Sequence, residues 1–416
     1  MTFNRRGFLM AGAAFAAGLP IAAFPVRKSF GQSPAIIKIG VITDLSGVYR
    51  DVQGPGSVAC AKLAASEFMQ QNPDIKVEVI SADHQNKADI GVGIIREWFD
   101  RQGVDVITDV GNSAVAAGAR TLLEGKDKVA IVTSAGSSDL TGKGCSPHLL
   151  HWGWDTWCLS HSTATAMTNL GNKKWFFVTV DYSLGKILQA DATRFIEAAG
   201  GQVVGSVAHP IGTSDFSSFL LQAQAAKPDV IAFANGGSDL IGAVKQAQEF
   251  GIEDAGIKLA SMGGFINDIV GMGLPAAKGL SLTETFYWDL NDRTRAFAKR
   301  LQPVAPEGLL PNMNHTGNYS GVVHYLKAVK ELGVQRAKAS GREVVQLMKK
   351  MPTDDDCFGV GSIRDDGRKI HPAYLFTVKS PAESKYRGDI FALRSTIVAE
   401  SAFRPIDQGG CSLVKM

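Results

Sequence analysis

Long apolar runs are scarce in this 416-residue chain. Past the first thirty residues no run approaches the roughly 20 predominantly apolar residues that a membrane span needs, so no transmembrane helix is expected there. An excess of charge of one sign is also lacking, with 43 Lys and Arg against 40 Asp and Glu, a formal +3. Four of those cations are Arg5, Arg6, Arg27 and Lys28, in a leading segment without acids, and removing it turns +3 into −1. A nearly neutral chain argues against nucleic-acid binding. Solenoid repeats, low-complexity tracts and long disordered linkers are missing too.

Catalytic signatures are equally thin. No strand-opening GxGxxG and no GxSxG elbow stands out. GSSDLTGKG is a near miss to a phosphate loop, one residue too long and without Ser or Thr after Lys143. The eight His residues are scattered. His148 and His151 are three apart, but no acid or Cys completes a metal set. An enzyme is therefore the least favoured class, and no cofactor is expected.

Cysteine is sparse, at positions 60, 145, 158, 357 and 411. Five is odd, so at least one thiol stays free or pairs between chains. Cys60 falls in a helical pattern with Val58, Ala61 and Ala64 and reads as core. Cys145 follows a Gly and Cys411 sits in a Gly-Gly tail, which makes Cys145–Cys411 the favoured disulfide.

What is present is a recurring unit: an apolar strand, a short loop of Gly, Ser and Ala, then an amphipathic helix. It begins at Ile36 and runs through IIKIGVITDLSG, VDVITDVGNSA, KVAIVTSAGSSDLTGKG, KKWFFVTVDYSLGK, PDVIAFANGGSD and IKLASMGGFIND. Such alternation builds parallel sheets with helices on both faces. Ligands sit at the loops that follow the carboxyl ends of the strands. About 385 residues beyond the leader exceed one ordinary core, so two lobes are expected. Residues 1–31 read as a twin-arginine export signal, Arg5-Arg6 preceding a weakly apolar run diluted by Gly, Ala and Pro20. A membrane anchor is the competing reading of that run.

The order and spacing of KIGVITDLSG, DVITDVGNSA, AIVTSAGSSDLT, FFVTVDYSLGK, DVIAFANGGSD and KGLSLTETFYW resemble the leucine/isoleucine/valine-binding protein family. These are periplasmic solute receptors of ABC importers. The resemblance implies an α/β type I periplasmic binding fold: two Rossmann-like lobes with parallel-type sheets, joined by a three-segment hinge. It places crossings near His151–Gly153, Leu282–Glu284 and Pro352–Phe358. Lobe 1 is then 35–151 with 284–352, lobe 2 is 152–283 with 353–405, and 406–416 form a tail. The implied partners are a small-molecule carboxylate and the permease and ATPase subunits of an importer, with the receptor itself a periplasmic monomer. A sensory receptor with the same fold is the competing class.

The resemblance also implies a carboxylate held by the first lobe. Its matching positions are Ser113 and Ala114 in GNSA and Ala135, Gly136 and Ser137 in TSAGS. Physics agrees, because each loop feeds a helix N-terminus whose free N–H groups favour an anion. Ordinary helix capping by Ser113 and Ser137 is the plainer alternative. In the second lobe an aromatic often used by the family is replaced by Leu184, with Tyr182 two residues before it. Asn235 and Gly236 lie in the loop of the next strand. The family's acid for an amino group falls near Gly264, where no Asp or Glu stands.

Aromatics gather instead. Trp152, Trp154 and Trp157 flank the first crossing, and Phe286, Tyr287 and Trp288 follow the second. Tyr49 and Phe265 follow strand ends. Tyr49, Trp154, Tyr182, Phe265 and Tyr287 are expected at the ligand, with Arg50 as a carboxylate partner and Asp181 as an acceptor. An aromatic acid is the favoured solute, and a branched-chain or other amino acid is the alternative.

Overall fold

The computed structural model describes residues 35–415. The proposed export signal, 1–31, lies outside them. Five strands form the first sheet: β1 (Ile36–Thr43), β2 (Lys76–Asp83), β3 (Val106–Asp109), β4 (Val129–Val132) and β5 (Leu149–His151). Their order is β2-β1-β3-β4-β5 and every pairing is parallel. β3 and β4 are buried along their whole length. Helices cover both faces, so continuous apolar runs, not alternation, mark these strands.

The second sheet holds β6 (Lys174–Val180), β7 (Gln202–His209), β8 (Val230–Ala234), β9 (Lys258–Ser261) and β10 (Ser281–Glu284), all parallel. A two-stranded ribbon of β11 (Ser362–Ile363) and β12 (Lys369–Ile370) follows in the chain. β13 (Ala373–Val378) and β14 (Phe391–Ile397) then join the second sheet at its edge, in the order β14-β13-β10-β9-β8-β6-β7. Both run antiparallel to their neighbours, at the edge of an otherwise parallel sheet. The link between them has no crossover helix, and without one a neighbouring strand can only return antiparallel. The chain is thus an α/β protein of two lobes.

The first-lobe core forms where the helix Gly54–Gln71 packs on the helix Met313–Leu332. Small residues let them approach closely: Cys60, Ala61 and Ala64 are fully buried. Phe297, on the helix that follows the second crossing, returns to this core. One expected boundary shifts. The resemblance places 353–370 in lobe 2, yet Cys357, Phe358 and Ile363 pack into the same core as the helices Gly54–Gln71 and Met313–Leu332. β11, with Ile363, lies against the helix Gly341–Lys350, and the second-lobe sheet resumes only at β13.

Cys145 and Cys411 are joined by a disulfide, while Cys60, Cys158 and Cys357 are buried free thiols. Among the described residues no helix is long and apolar enough to cross a membrane.

Candidate functional site

The ends of β1, β3 and β4 point their loops at the ends of β6 and β9 in the other lobe. Between them lies a chamber lined by Tyr49, Gln53, Gly111, Ser113, Ser134, Ala135, Gly136, Trp154, Tyr182, Leu184, Gly263 and Phe265. The space between its atoms is ≈ 340 Å³, part of it continuous with solvent. The lobes stand closed, since Tyr182 of lobe 2 reaches Tyr49 of lobe 1 and Ser238 reaches Val48 by hydrogen bonds. Roomier clefts lie elsewhere, one beside Trp288, Lys299 and Arg387. They open to solvent and lack the strand-end geometry, so the chamber is the better candidate.

The first-lobe wall is built by the loops after β3 and β4. Asn112 caps the helix Ser113–Lys126, its side chain accepting from the N–H groups of Ala114 (2.8 Å) and Val115 (3.2 Å). That leaves Ser113, at the helix head, free to face the chamber. Gly136 lies under Trp154: a Cβ there would fall 2.3 Å from the indole ring. The backbone can approach the chamber at this point only because the residue is glycine.

Asp109 organises both loops. Its Oδ1 accepts from Ser57 (3.1 Å), Thr133 (3.1 Å), Asn318 (2.9 Å) and the Ser134 hydroxyl. Asp109 and Val110 both have positive φ, 73° and 53°. For a β-branched residue this is an outlier of the kind that surrounding structure must hold in place.

Aromatic side chains close the chamber. Trp154 donates its indole N–H to Asn314 Oδ1 (2.5 Å) and meets Phe265 edge-on, ring centroids 5.5 Å apart. Asn314 and Asn312 also donate to the Val52 carbonyl, and Asn312 reaches the second-lobe Asn267. Tyr182 of lobe 2 donates to the hydroxyl of Tyr49 of lobe 1 at 2.7 Å. Burial pushes both phenols well above their ordinary pKa, so both stay neutral. Ser238 N–H donates to the Val48 carbonyl (3.2 Å), a third tie between lobes. Tyr182→Phe removes one hydrogen bond of the closed form. Calorimetry should show affinity weakened by about 0.5–1.5 kcal/mol, with an unchanged melting temperature for the free protein.

Of the residues singled out from sequence, Tyr49, Ser113, Ala135, Gly136, Trp154, Tyr182 and Phe265 meet at this chamber. The others lie elsewhere, each for a physical reason. The N–H of Ala114 is taken by Asn112, and its side chain is exposed. Ser137 caps the short turn Ser138–Thr141, and Ser134 lines the wall instead. Arg50 remains hydrated and pairs with Asp51 at 2.6 Å. Asp181 is exposed and pairs with Lys186 at 2.9 Å. Asn235 is turned inward onto His209 (3.0 Å), and Gly236 packs behind the Tyr49 ring. Gly264 faces Ser261 and Leu240, while its neighbour Gly263 lines the chamber. Tyr287 is buried against Phe376 and Phe391 and donates to the Gly388 carbonyl (3.0 Å).

The second-lobe acids are likewise turned inward. Asp239 accepts from the Gly212 N–H (3.0 Å) and Asp268 from that of Phe265 (3.0 Å). Burial pushes Asp239 up to about 6 and Asp268 up to about 7. Sequence reading missed Gln53, Asp109, Asn312, Asn314 and Asn318. The one available signal was the polar cluster in NMNHTGN at the head of a helix that is otherwise core.

The chain matches solved structures along both lobes. A periplasmic binding protein from Burkholderia mallei is 40% identical, with a TM-score of 0.85 over 91% of this chain and 99% of that one. A branched-chain amino acid ABC transporter periplasmic ligand-binding protein from Burkholderia xenovorans is 35% identical, with a TM-score of 0.79 over 91% and 99%. An ABC-transporter solute-binding protein from R. palustris, solved with 4-hydroxybenzoate, shares the fold at 22% identity, with a TM-score of 0.79 over 88% and 98%. The family described as periplasmic binding protein matches residues 36–385. The first lobe, the chamber and all of the second-lobe sheet except β14 fall within that match, and the chain belongs to the periplasmic binding protein family.

Proposed function

We propose that this protein is the solute-binding component of an ABC importer and captures an aromatic carboxylate between its lobes. Residues 1–31 act as its twin-arginine export signal. A permease and an ATPase subunit are its partners, and it works as a periplasmic monomer.

One observation carries the choice of solute. Four aromatic side chains, Tyr49, Trp154, Tyr182 and Phe265, line the chamber, and among the described residues lining it none is Asp, Glu, Lys or Arg. A carboxylate needs no cation here. Asn112 and Asp109 already take the N–H groups of Ala114 and Val115 and both donors of Ser134, so the N–H and hydroxyl of Ser113, the N–H groups of Ala135 and Gly136 and the helix dipole are what favour it. An ammonium would lose its water without gaining a carboxylate partner, which is costly. A ring gains instead: burying a Phe-sized group is worth about 1.5–3 kcal/mol, and stacking adds about 0.5–1.5 kcal/mol. The complex of 4-hydroxybenzoate with the R. palustris protein fits this reading.

The name of the B. xenovorans protein favours a branched-chain amino acid instead. Calorimetry at neutral pH separates the two. Benzoate-type acids should bind at least about tenfold more tightly than leucine, a difference of about 1.4 kcal/mol. Micromolar leucine binding with no binding of aromatic acids would replace the proposal by the second reading. It would require a capping acid such as Asp268 to turn into the chamber.

A further inference from the structure

The chamber wall carries a buried acceptor that the protein leaves unused. Gln53 is buried, with 4% of its surface exposed, at the end of the loop that carries Tyr49. Its Nε2 donates to the Gly111 carbonyl at 3.1 Å. That bond fixes the amide's orientation, so the opposite atom, Oε1, is an acceptor. Oε1 is buried and has no partner among the described residues. A buried acceptor left unmatched costs about 1–3 kcal/mol, so a site that presents one favours a solute able to donate to it.

The surroundings narrow the chemistry. A Cβ on Gly111 would fall 1.7 Å from Gln53 Oε1 and 3.0 Å from His84 Nε2, so the two atoms lie within the sum of those distances. His84 Nδ1 accepts from the Asn86 N–H at 2.9 Å, and burial keeps the ring neutral, so Nε2 carries the proton. Nε2 too is unpartnered. His84 is not among the residues lining the chamber, however, and Gln53 is.

We infer that Gln53 is a specificity residue that selects an aromatic acid bearing a phenolic hydroxyl over the unsubstituted acid. The inference rests on the aromatic-acid reading and deepens it. The carboxylate lies at the Ser113 and Ser134–Gly136 loops, and the ring hydroxyl donates to Gln53 Oε1. A carboxylate at Gln53 would set two acceptors against each other, so the same atom also fixes which way round the solute binds.

The test is calorimetry with benzoate, 3-hydroxybenzoate and 4-hydroxybenzoate, on the wild-type chain and on Gln53→Met. Methionine has a similar length and offers no comparable acceptor. In the wild type, one hydroxybenzoate should bind at least about tenfold more tightly than benzoate, the scale of one hydrogen bond. In Gln53→Met that ratio should fall to near one. The melting temperature of the free variant controls for folding, and the wild-type ratio stands alone if the variant does not fold. Equal affinities in the wild type, or benzoate the tightest, would overturn the inference while leaving the aromatic-acid reading intact. Gln53 would then be satisfied from inside the lobe, by His84. A ratio that survives Gln53→Met overturns it as well. Failure of all three acids to bind overturns both.

Discussion

Asp109→Ala should abolish measurable solute binding and lower folding stability by about 2–4 kcal/mol, because even one buried donor left unpaired costs about 1–3 kcal/mol. Four donors converge on Oδ1 of this carboxylate, from Ser57, Thr133, Ser134 and Asn318. The hydroxyls can turn to other acceptors, and the Asn318 amide keeps the Thr133 hydroxyl (2.9 Å) and the Asn314 carbonyl (3.0 Å) within reach. Hence the expected cost is less than four times the single-donor figure. Binding suffers more than stability because Thr133 and Ser134 lead directly into Ala135 and Gly136 at the chamber wall. The left-handed backbone at Asp109 and Val110 adds to the effect. Asp tolerates that conformation better than Ala does. Denaturant unfolding and calorimetry on the same sample check both parts. Wild-type affinity in the variant would show that the loops hold their shape without the hub.

The second large effect concerns the disulfide. Replacing Cys145 and Cys411 together by Ser should remove about 2–5 kcal/mol, the range for loss of a native bridge. The pair closes a loop spanning 266 positions, so the constraint on the unfolded chain is near the upper end of what one cross-link supplies. The bond also has a positional role. After β14, at the edge of the second-lobe sheet, the tail runs back and fastens to the loop after the turn Ser138–Thr141. Arg404 supports it by donating to the Ser138 carbonyl at 2.8 Å. The ligand-free melting temperature should fall by several degrees in the variant, and equally in wild type under strong reductant. No shift in either would mean that packing of the tail alone carries its stability.

Much of the first-lobe wall was legible in the sequence. A parallel strand covered on both faces is a short apolar run, and the loop after it feeds a helix head. That local grammar locates Ser113, Ala135 and Gly136 without any knowledge of tertiary contacts. The favoured Cys145–Cys411 pairing likewise rested on local context, two cysteines beside glycines outside the helical pattern of Cys60. The antiparallel edge was not legible, because the strand–helix rhythm stops after β10 and nothing local fixes the direction of β13 and β14.

Side-chain direction was decided only in three dimensions. Tyr287 and Trp154 both stand beside a crossing in the chain, yet one packs onto Phe376 in the second-lobe core and the other roofs the chamber. Position along a hinge segment does not say which side of it a ring will face. Arg50 and Asp181 follow strand ends as Ser113 does, but water and an adjacent opposite charge hold them outside. The hub at Asp109 and the acceptor of Gln53 were invisible for a different reason. Asn318 lies 209 positions from Asp109, and Gly111 lies 58 from Gln53. The sequence by itself determined the layers, the loops that face the other lobe and the chemistry those loops offer, because these follow from burial and helix ends. Only the packing of distant segments, within the first lobe and between the lobes, decided which polar atoms are satisfied and which stay open to a solute.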